Sequence, residues 1–496
     1  MISPHDASEQ DGEPHGGLLP DLPEHVHLLG AGGAGVSGLA RLLLARGHRL
    51  TGHDREASPF TAKLDELGIP ISLGESDVAH MPTPDAAVDA EGAVVRPPGA
   101  IIRSAAIGDT DPQLTRAREL GWPTFKYAQM LGRLAPRDQT LAVAGTHGKT
   151  TSTWMLYHAL RGIADAESDG SAPGTLVGGL DVKLGTNAVP PEGQGRFAIE
   201  ACEYDRSFLQ LTPWGAAITN VEADHLDCYG TEAAVEEAFA QFASSLPREG
   251  LLVLGTDVAD LVESASRAEV WRLGRELKVE VSSDNRGCQA FRLIGPGWAT
   301  PEIQLKVPGE FNVENAALAL ALAMGSQSAR PGGLDLQACA AAAGRGLENF
   351  QGVERRFEYW GRDLVHDYAH HPTEVEATLR TARRVFPGAP LHVLFQPHQH
   401  SRTAHFLHGF VKALNTADRV VVADVYGARA AIDSHAAGAE ELVQALVDAG
   451  VEAVYGGPPA QAAEIFATEM TFETAGLVLG AGDIDGIKDD LDDLLG

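Results

Sequence analysis

Two glycine-rich stretches of the chain have the spacing of phosphate-binding loops. Residues 30–35 read GAGGAG and fit the pattern G-x-G-x-x-G, whereas residues 142–151 read AVAGTHGKTT and contain G-K-T. In such loops the backbone N–H groups surround phosphate oxygens, a lysine such as Lys149 neutralises their charge, and the following threonine hydroxyl can bind Mg²⁺. The second stretch is shortened, because Val143 occupies the usual first glycine position and Gly145 follows two residues later.

The first loop also fits the fingerprint of a dinucleotide-binding fold. It lies between a predicted strand at 25–30 and a predicted helix at 36–47, and Asp54 ends the next predicted strand 19 residues after the last glycine. The helix N-terminus suits a pyrophosphate, and the acidic side chain suits a ribose hydroxyl. Two alternatives stay open: the loop binds NAD or another nucleotide diphosphate, or it is a tight turn without a ligand.

Acidic residues and a histidine follow two predicted strands after the second loop. Glu200 ends one strand, and Asp224, His225 and Asp227 follow the next. The carboxyl ends of parallel strands share one edge of a sheet, so we expect these side chains to lie near the second loop. Carboxylate oxygens suit Mg²⁺, and a neutral imidazole can join them. The alternative is a set of solvated loop carboxylates.

A further group of polar residues follows two strands near the C-terminal end. Asp367, His370 and His371 follow one predicted strand, and His398 and Arg402 follow another. Paired histidines at neighbouring strand ends predict an edge that faces a ligand, although single histidines are often structural.

Two arginines and two cysteines lie near these motifs. Arg355 and Arg356 either reach a transferred phosphoryl group or are surface charges, and the sequence does not decide between them. Cys202 and Cys228 have no neighbouring base in a recognised arrangement, so we interpret both as small packing residues.

The elements that position these residues alternate between short β-branched strands and helices, which predicts an α/β fold with parallel sheets. Polar breaks predict a flexible tail at 1–22 and three domains at 23–137, 138–352 and 353–496. The first and third domains are predicted to be Rossmann-like, and the central domain is predicted to be a P-loop ATPase-like parallel sheet.

The composition excludes several classes of protein. With 38 basic and 68 acidic residues, the formal net charge is −30, which disfavours nucleic acid as a partner. No apolar run approaches the roughly 18 residues that cross a membrane. The four cysteines are widely spaced, with no C-x-x-C pair. This spacing argues against a disulfide framework and favours a reducing, cytoplasmic compartment.

Seven motifs taken together resemble those of the Mur ligases, in the same order along the chain. They extend from about residue 25 to about residue 403 and read HLLGAGGAGVSGLA, AVAGTHGKTT, EACEYDRSFL, TNVEADHLDCY, FNVENAA, DYAHHPTEV and FQPHQHSRT. The resemblance implies that the first domain binds the UDP of a UDP-sugar rather than NAD. It also implies that the central domain binds ATP and Mg²⁺, and that the third domain brings an amino acid.

The resemblance further implies an ATP-dependent ligase that joins L-alanine to the lactyl carboxylate of UDP-N-acetylmuramate through an acyl phosphate, in peptidoglycan precursor synthesis. A Mur-type ligase for another amino acid or peptide is the nearest alternative. More distant alternatives are a nicotinamide-dependent oxidoreductase and a non-catalytic nucleotide-binding regulator.

The resemblance also implies the roles of individual residues. The ATP site would contain Gly145, Thr146, His147, Gly148, Lys149, Thr150, Thr151, Asn315, Arg356 and Asp367. The magnesium ligands would be Thr150, Glu200 and His225. Lys149, Glu200, His225, His370 and Arg402 would be catalytic. The other substrates would contact Gly32, Gly33, Gly35, Ser37, Asp54, Ser104, Lys126, Glu203, His371 and His398.

Several residues depart from the family pattern, namely Lys126, Cys202, Tyr204, Phe311, Gln399 and His400. Lys126 occupies a position that is commonly arginine, which replaces a bidentate fork by a point charge. Phe311 occupies the usual histidine of H-N-x-x-N. These departures concern substrate contacts more than the chemistry.

Overall fold

A computed structural model describes residues 18–19, 22–82, 87–88, 94–95, 99–167, 169–328, 335–427 and 438–496. Most of the predicted tail lies outside these ranges, as do Pro97 and Pro98, where the sequence predicts a turn. Leu22, at the end of the predicted tail, is buried in the core of the first domain.

The first domain contains a five-stranded parallel sheet with the order β3-β2-β1-β6-β7. A separate antiparallel pair is formed by β4 and β5. The strands are β1 His25–Leu29, β2 Arg49–Asp54, β3 Ile71–Leu73, β4 Ala87–Val88, β5 Val94–Val95, β6 Gly99–Arg103 and β7 Thr124–Lys126. The helices are α1 Ala34–Ala45, α2 Pro59–Glu66, α3 Pro112–Glu119 and α4 Tyr127–Leu134, with a 3₁₀ turn at Val78–His80.

The central domain is built on a seven-stranded sheet with the order β10-β9-β11-β8-β12-β13-β14. Only the edge strand β10 is antiparallel to its neighbour among these described strands. The strands are β8 Thr140–Ala144, β9 Gly174–Leu176, β10 Ala188–Val189, β11 Phe197–Glu200, β12 Gly215–Ile218, β13 Leu251–Leu254 and β14 Glu269–Arg272. The helices are α5 Lys149–Glu167, α6 Leu226–Tyr229, α7 Glu232–Ser244 and α8 Asp260–Ala265, with a 3₁₀ segment at Tyr204–Gln210.

A small antiparallel sheet follows, and it departs from the α/β alternation that the sequence predicts along nearly the whole chain. It contains β15 Lys278–Asn285, β16 Cys288–Gly295, β17 Trp298–Ala299 and β18 Ile303–Gln304. Most residues of β15 are exposed, so the strand carries little of the apolar pattern that identifies strands in a sequence. The helices α9 Glu310–Ser328 and α10 Leu336–Leu347 then pack against α5.

The third domain has a six-stranded sheet with the order β19-β20-β24-β21-β22-β23, in which β19 alone of these described strands pairs antiparallel. The strands are β19 Glu358–Tyr359, β20 Leu364–Asp367, β21 Leu391–Phe395, β22 Arg419–Ala423, β23 Ala453–Gly457 and β24 Ala475–Leu479. The helices are α11 Pro372–Val385, α12 His400–His405, α13 Leu407–Leu414, α14 Ala439–Asp448, α15 Pro459–Glu469 and α16 Lys488–Leu495, with a 3₁₀ turn at Asp483–Ile487.

The three predicted parallel sheets are therefore confirmed, and their strands explain where the polar motifs lie. The central strand β8 is fully buried, and the second glycine loop joins its carboxyl end to the N-terminus of α5. The strands on either side, β11 and β12, end at the same edge. Of the helices in the described part of the chain, none has the length and apolar character needed to cross a bilayer.

Candidate active site

At two positions of the second glycine loop, the backbone conformation and the close packing require glycine. Gly145 has φ of 140°, and an added Cβ would lie 1.9 Å from Thr219 Oγ1. Gly148 has φ of 80°, and its Cβ would lie 2.5 Å from Asn315 Oδ1. Both glycines are therefore required by positive φ and by close packing. The loop brings β12 and α9 into contact with the start of α5.

Further hydrogen bonds fix the loop to the segment after β12. Thr146 N donates to Asn220 O at 3.0 Å, and Glu222 N donates to Thr146 Oγ1 at 2.9 Å. His147 N donates to Asn220 Oδ1 at 2.8 Å. The loop conformation is thus held by side chains and backbone groups of the neighbouring strand end.

Lys149 is the first residue of α5, and its ammonium group is held over the loop. Nζ donates to Gly145 O at 2.7 Å and to Thr146 O at 2.9 Å, and it lies 2.9 Å from Glu203 Oε2. Burial by itself would lower the pKa of Lys149, but the Glu203 carboxylate raises it. The lysine therefore carries a positive charge beside the loop, as binding phosphate oxygens requires.

Thr150 and Glu200 bring two oxygen donors together next to Lys149. Thr150 Oγ1 donates to Glu200 Oε1 at 3.0 Å, and Gly178 N donates to Glu200 Oε2 at 2.6 Å. A hydroxyl and a carboxylate at a phosphate loop are the donor types that Mg²⁺ prefers. These two predicted residues fit the ion.

His225 has different neighbours from those the sequence predicts. Its Nε2 lies 3.4 Å from Glu203 Oε1 and 3.8 Å from Asp224 Oδ2. Its backbone is left-handed, with φ of 51°. Glu203 consequently lies between Lys149 and His225 and connects the phosphate loop to the acidic segment. Glu203, predicted to contact substrate, is thus an ion-pair partner of Lys149.

The third domain reaches this segment through Arg402. Arg402 Nη2 donates to Asp224 Oδ1 at 2.6 Å, and Arg402 Nη1 lies 3.1 Å from His398 Nδ1. The His398 ring lies 5.5 Å from that of His370, whose Nδ1 is 3.2 Å from Glu374 Oε2. The predicted residues His370, His398 and Arg402 are therefore brought together facing the central domain.

A second contact between these domains involves His147 of the phosphate loop. His147 Nδ1 lies 3.2 Å from Glu374 Oε1, and its ring lies 4.7 Å from that of His371. Thr373 Oγ1 donates to Glu222 Oε2 at 2.8 Å. Burial by itself would lower the pKa of His147, but Glu222 and Glu374 raise it to about 9. The start of α11 thus lies directly against the phosphate loop.

A cavity of about 340 Å³ opens between the central and third domains beside the phosphate loop. It is lined by residues predicted to bind ATP, namely His147, Gly148, Thr150, Thr151, Asn315, Arg356 and Asp367. Phe311 also lines it, as do Glu222 and Glu374. Seven of the ten sequence-predicted nucleotide residues therefore share one cavity, whereas Gly145, Thr146 and Lys149 are not among its lining residues.

Two neighbouring arginines, left undecided by the sequence, have different positions. Arg356 lines the cavity and lies 3.7 Å from Glu374 Oε1. Arg355 pairs instead with Asp485 at 3.3 Å and packs over the Tyr368 ring. Asp367 accepts hydrogen bonds from Phe357 N and Ala369 N, and burial raises its pKa to about 6. Of the two arginines, Arg356 is thus the one that lines the cavity.

The first glycine loop is hydrogen-bonded to Asp54, the acidic residue at the end of β2. Gly32 N donates to Asp54 Oδ2 at 2.7 Å, so the carboxylate predicted to bind substrate also holds the loop. Gly33 is the N-cap of α1, and Gly35 packs against Tyr127. This arrangement places the loop amides at the N-terminus of α1.

The other residues predicted to contact the sugar nucleotide differ in exposure. The Ser37 side chain is completely buried in α1. Ser104 N donates to Leu29 O, which places Ser104 at the carboxyl end of β6 beside the loop. Lys126 Nζ lies 2.8 Å from Asp205 Oδ2 of the central domain, with both side chains partly exposed. Among the residues that the structure describes, the buried Ser37 Oγ has no hydrogen-bond partner.

Sequence reasoning missed two carboxylates of the site. Glu222 and Glu374 bridge the central and third domains, and both lie inside motifs that the sequence displays, TNVEADH and HHPTE. Glu374 is also the third residue of α11, where a carboxylate can complete a capping box. The interpretation of both cysteines as packing residues is wrong for Cys228, which is exposed, whereas Cys202 is partly buried.

The fold and the site define a class of protein: a three-domain enzyme with a P-loop central domain and a cavity beside that loop, lined by residues of the central and third domains. Family models match most of the chain, as the Mur ligase family, catalytic domain, over residues 25–139, the Mur ligase middle domain over 143–323, and the Mur ligase, glutamate ligase domain over 355–482. The chain belongs to the Mur ligase family.

Individual relatives are similar over most of their length. The chain is 38% identical to a UDP-N-acetylmuramate--L-alanine ligase of Saccharopolyspora erythraea, covering 95% of this chain and 93% of that protein. It is 40% identical to the enzyme of the same name from Renibacterium salmoninarum, covering 82% of each.

A solved structure is similar over the whole fold. The UDP-N-acetylmuramate-alanine ligase of Thermotoga maritima superimposes with a TM-score of 0.73 at 28% identity, covering 95% of this chain and 98% of that one. The predicted family and three-domain α/β architecture are confirmed. The protein is a ligase, and the oxidoreductase alternative is wrong.

Proposed function

We propose that the protein joins L-alanine to the lactyl carboxylate of UDP-N-acetylmuramate, with ATP converted to ADP and phosphate, as a step of peptidoglycan precursor synthesis. The observation that carries the proposal is the near full-length similarity, at 38–40% identity, to two ligases named for this reaction. The position of Lys149 and the cavity between the second and third domains support it.

In this proposal each domain contributes one substrate. Residues 23–137 hold the UDP group at the first glycine loop, residues 138–352 hold ATP, and residues 353–496 bring the amino acid. Backbone amides at the N-terminus of α1 favour the diphosphate, because the first N–H groups of a helix lack internal partners. Lys149 and Arg356 supply positive charge where two anions, the carboxylate and the ATP phosphate, approach each other.

The reaction has two steps. A lactyl carboxylate oxygen attacks the γ-phosphorus of ATP, and the bond to the β,γ-bridging oxygen breaks, which releases ADP and leaves an acyl phosphate. The neutral amine of L-alanine then attacks the acyl carbon and forms a tetrahedral intermediate. The C–O bond to phosphate breaks, the nitrogen loses a proton, and the amide and inorganic phosphate are released.

Thr150 and Glu200 would hold Mg²⁺, which neutralises phosphate oxygens when bound. The 3.0 Å contact between their oxygens supports this assignment. His225 is assigned to the same side of the site, where its contact with Glu203 lies next to Lys149.

His370, His371, His398 and Arg402 are assigned to the alanine and intermediate pocket. Arg402 is held by Asp224, so its position is fixed before a substrate carboxylate arrives. Burial lowers the pKa of His371 to about 4, which makes this imidazole neutral at physiological pH. We infer a cytoplasmic location, because four free cysteines fit a reducing compartment.

The test is amino-acid-dependent phosphate release with ATP, Mg²⁺ and UDP-N-acetylmuramate, combined with mass spectrometry of the product. We expect L-alanine to give stoichiometric phosphate and a product heavier by one alanyl residue. Phosphate release with glycine or a tripeptide but not with L-alanine would replace the proposal by a Mur-type ligase of different specificity.

A further inference from the structure

Three side chains from different segments form a cluster at the contact between the central and third domains. His147 belongs to the phosphate loop, Glu222 follows β12, and His371 is the N-cap of α11. One potential ligand atom of each lies within 4.8 Å of the other two. This is a different set of side chains from Thr150 and Glu200, the residues assigned to Mg²⁺.

The separations within the cluster are close to those around a four-coordinate ion. His147 Nε2 lies 3.5 Å from Glu222 Oε2, and His371 Nδ1 lies 3.9 Å from the same oxygen. In a tetrahedral zinc site with bonds of about 2.0–2.1 Å, ligand atoms are separated by about 3.4 Å. Small side-chain movements would therefore bring the three atoms onto one ion.

Two imidazoles and one carboxylate select the type of ion. This ligand set is typical of zinc and of neighbouring transition metals, whereas Mg²⁺ prefers oxygen ligands and keeps several waters. Two carboxylates at the contact, Glu222 and Glu374, also favour a cation there.

One nitrogen atom of the cluster is buried without a hydrogen bond. Within the described part of the chain, the buried Nε2 atom of His147 forms no hydrogen bond, and it faces Glu222 Oε2 at 3.5 Å. His371 is only 4% exposed, so its Nδ1, 3.9 Å from Glu222 Oε2, is largely shielded from water. The contact from Thr373 N to His371 Nδ1 is long, at 3.4 Å, and is easily exchanged for a stronger one.

The surrounding residues resemble the outer shell of a metal site. Glu374 Oε1 lies 3.2 Å from His147 Nδ1, on the opposite side of the ring from Glu222. A carboxylate that binds the second nitrogen of an imidazole orients the ring and increases its basicity toward a metal. Thr373 Oγ1 donates to Glu222 at 2.8 Å and fixes that carboxylate in the same way.

We propose that His147, Glu222 and His371 form a binding site for a zinc-type divalent transition ion at the contact between the central and third domains. The ion joins the phosphate loop and the strand end after β12 to the first turn of α11. It therefore holds the third domain against the nucleotide cavity, which Glu222 and His147 line. The site follows from the side-chain arrangement and does not depend on the proposed function.

Cobalt provides the probe, because tetrahedral Co²⁺ has strong visible absorption bands. The full-length protein, freed of metal by a chelator and kept free of nucleotide, is titrated with Co²⁺. We expect intense bands that saturate at one Co²⁺ per chain and disappear on addition of one equivalent of Zn²⁺. Weak bands typical of octahedral Co²⁺, or saturation above one ion per chain, would overturn the proposal.

Single substitutions test whether the Co²⁺ absorption bands come from His147, Glu222 and His371. His371→Asn should abolish the intense bands, whereas His408→Asn, at an exposed position of α13, should leave them unchanged. Thr150→Val removes a proposed Mg²⁺ ligand but should also leave the bands unchanged. Bands that persist in His371→Asn or vanish in Thr150→Val would contradict the assignment.

A conservative pair of variants separates loss of the site from loss of folding. Glu222→Gln retains the size of the side chain, and we expect the Kd for Zn²⁺ to rise at least about tenfold. Glu374→Gln should weaken binding by about 10–100-fold, as expected for an outer-shell carboxylate. Circular dichroism and the melting temperature without metal verify that each variant is folded. Unchanged affinity in a folded Glu222→Gln protein would overturn the proposal.

Discussion

Arg402 of the third domain and Asp224 of the central domain form a buried ion pair across the domain contact. Arg402 Nη2 donates to Asp224 Oδ1 at 2.6 Å, and the two side chains are 7% and 8% exposed. Burial by itself would raise the pKa of Asp224, but His225 and Arg402 lower it below its usual range. The Asp224 carboxylate is thus charged at neutral pH, and neither side chain has easy access to water.

Arg402→Ala should strongly impair both stability and activity. The substitution leaves Asp224 buried without its counter-charge, which costs about 3–5 kcal/mol in comparable pairs. We expect a lower melting temperature of the cooperative unit that contains the domain contact, together with a loss of amino-acid-dependent phosphate release. Differential scanning calorimetry and the phosphate assay measure the two effects.

A matched control is the exposed pair of Arg116 and Glu119, whose side chains are 40% and 60% exposed. Arg116→Ala should change stability by no more than about 1 kcal/mol, because solvent screens the pair. Equal destabilisation by the two substitutions would show that burial of Arg402 has no special importance.

Lys149→Ala should remove product formation while leaving the first domain able to bind its nucleotide sugar. The lysine contacts the phosphate loop and Glu203 and does not belong to the first glycine loop. We expect at least a thousandfold lower turnover, with the Kd of UDP-N-acetylmuramate changed less than threefold by isothermal titration calorimetry. Lys149→Arg is the control for charge alone, and near-normal turnover of Lys149→Ala would contradict the assigned role.

Gly145→Ala should disrupt the phosphate loop by sterics. The residue has φ of 140°, and the added methyl group would lie 1.9 Å from Thr219 Oγ1. We expect a cost of about 1–3 kcal/mol for the backbone strain alone and a large loss of ATP affinity. Gly108→Ala, where an added Cβ meets nothing within 4 Å, is the control and should behave as wild type. Equal ATP affinities in the two variants would argue against a strained loop.

The main features of the fold and of this loop could be predicted from the sequence because they repeat local patterns. Strand β8 followed by G-K-T predicts the phosphate loop, and parallel strands predict that Glu200 reaches it, which the contact with Thr150 confirms. The antiparallel strand β15 lacks an apolar face, so periodicity could not identify it.

The remaining side-chain contacts depend on backbone geometry that the sequence does not display. His225 adopts a left-handed conformation and contacts Glu203, so its position could not be inferred from strand order alone. Asp54 accepts a hydrogen bond from the Gly32 amide of the first glycine loop. The sequence fingerprint does not distinguish this contact from a contact with a ribose. Glu222 and Glu374 meet only because two domains come together, and no local pattern encodes that contact.

His27 should make the first domain sensitive to acid. Its side chain is buried, with Nδ1 2.8 Å from Thr51 Oγ1 and Nε2 2.9 Å from Gln113 Oε1. Burial lowers the pKa of His27 from 6.5 to about 4, and nearby His25, His53 and His80 act in the same direction. Between these two values the unfolded chain binds more protons than the folded one, so stability falls as pH falls from 6.5 to about 4.

The expected loss is about 3 kcal/mol across that interval, as an order of magnitude. His27→Gln keeps hydrogen-bonding groups but does not titrate, so its stability should change less between pH 6.5 and 4.5. The measurement is calorimetric unfolding of the wild type, His27→Gln and the exposed control His408→Gln at both values. The same acid-induced loss in all three proteins would exclude His27 as its source.

Glu200→Gln should raise the Mg²⁺ concentration that the reaction needs. The substitution keeps the size of the side chain but removes the negative charge beside Thr150, where the two oxygens lie 3.0 Å apart. A neutral amide binds Mg²⁺ more weakly than a carboxylate. In phosphate-release assays we expect the half-saturating Mg²⁺ concentration to increase at least tenfold, with partial recovery of the rate at high Mg²⁺. Glu354→Gln is a control at a partly buried carboxylate near the domain linker, outside the nucleotide cavity. An unchanged Mg²⁺ dependence in Glu200→Gln would remove Glu200 from the magnesium site.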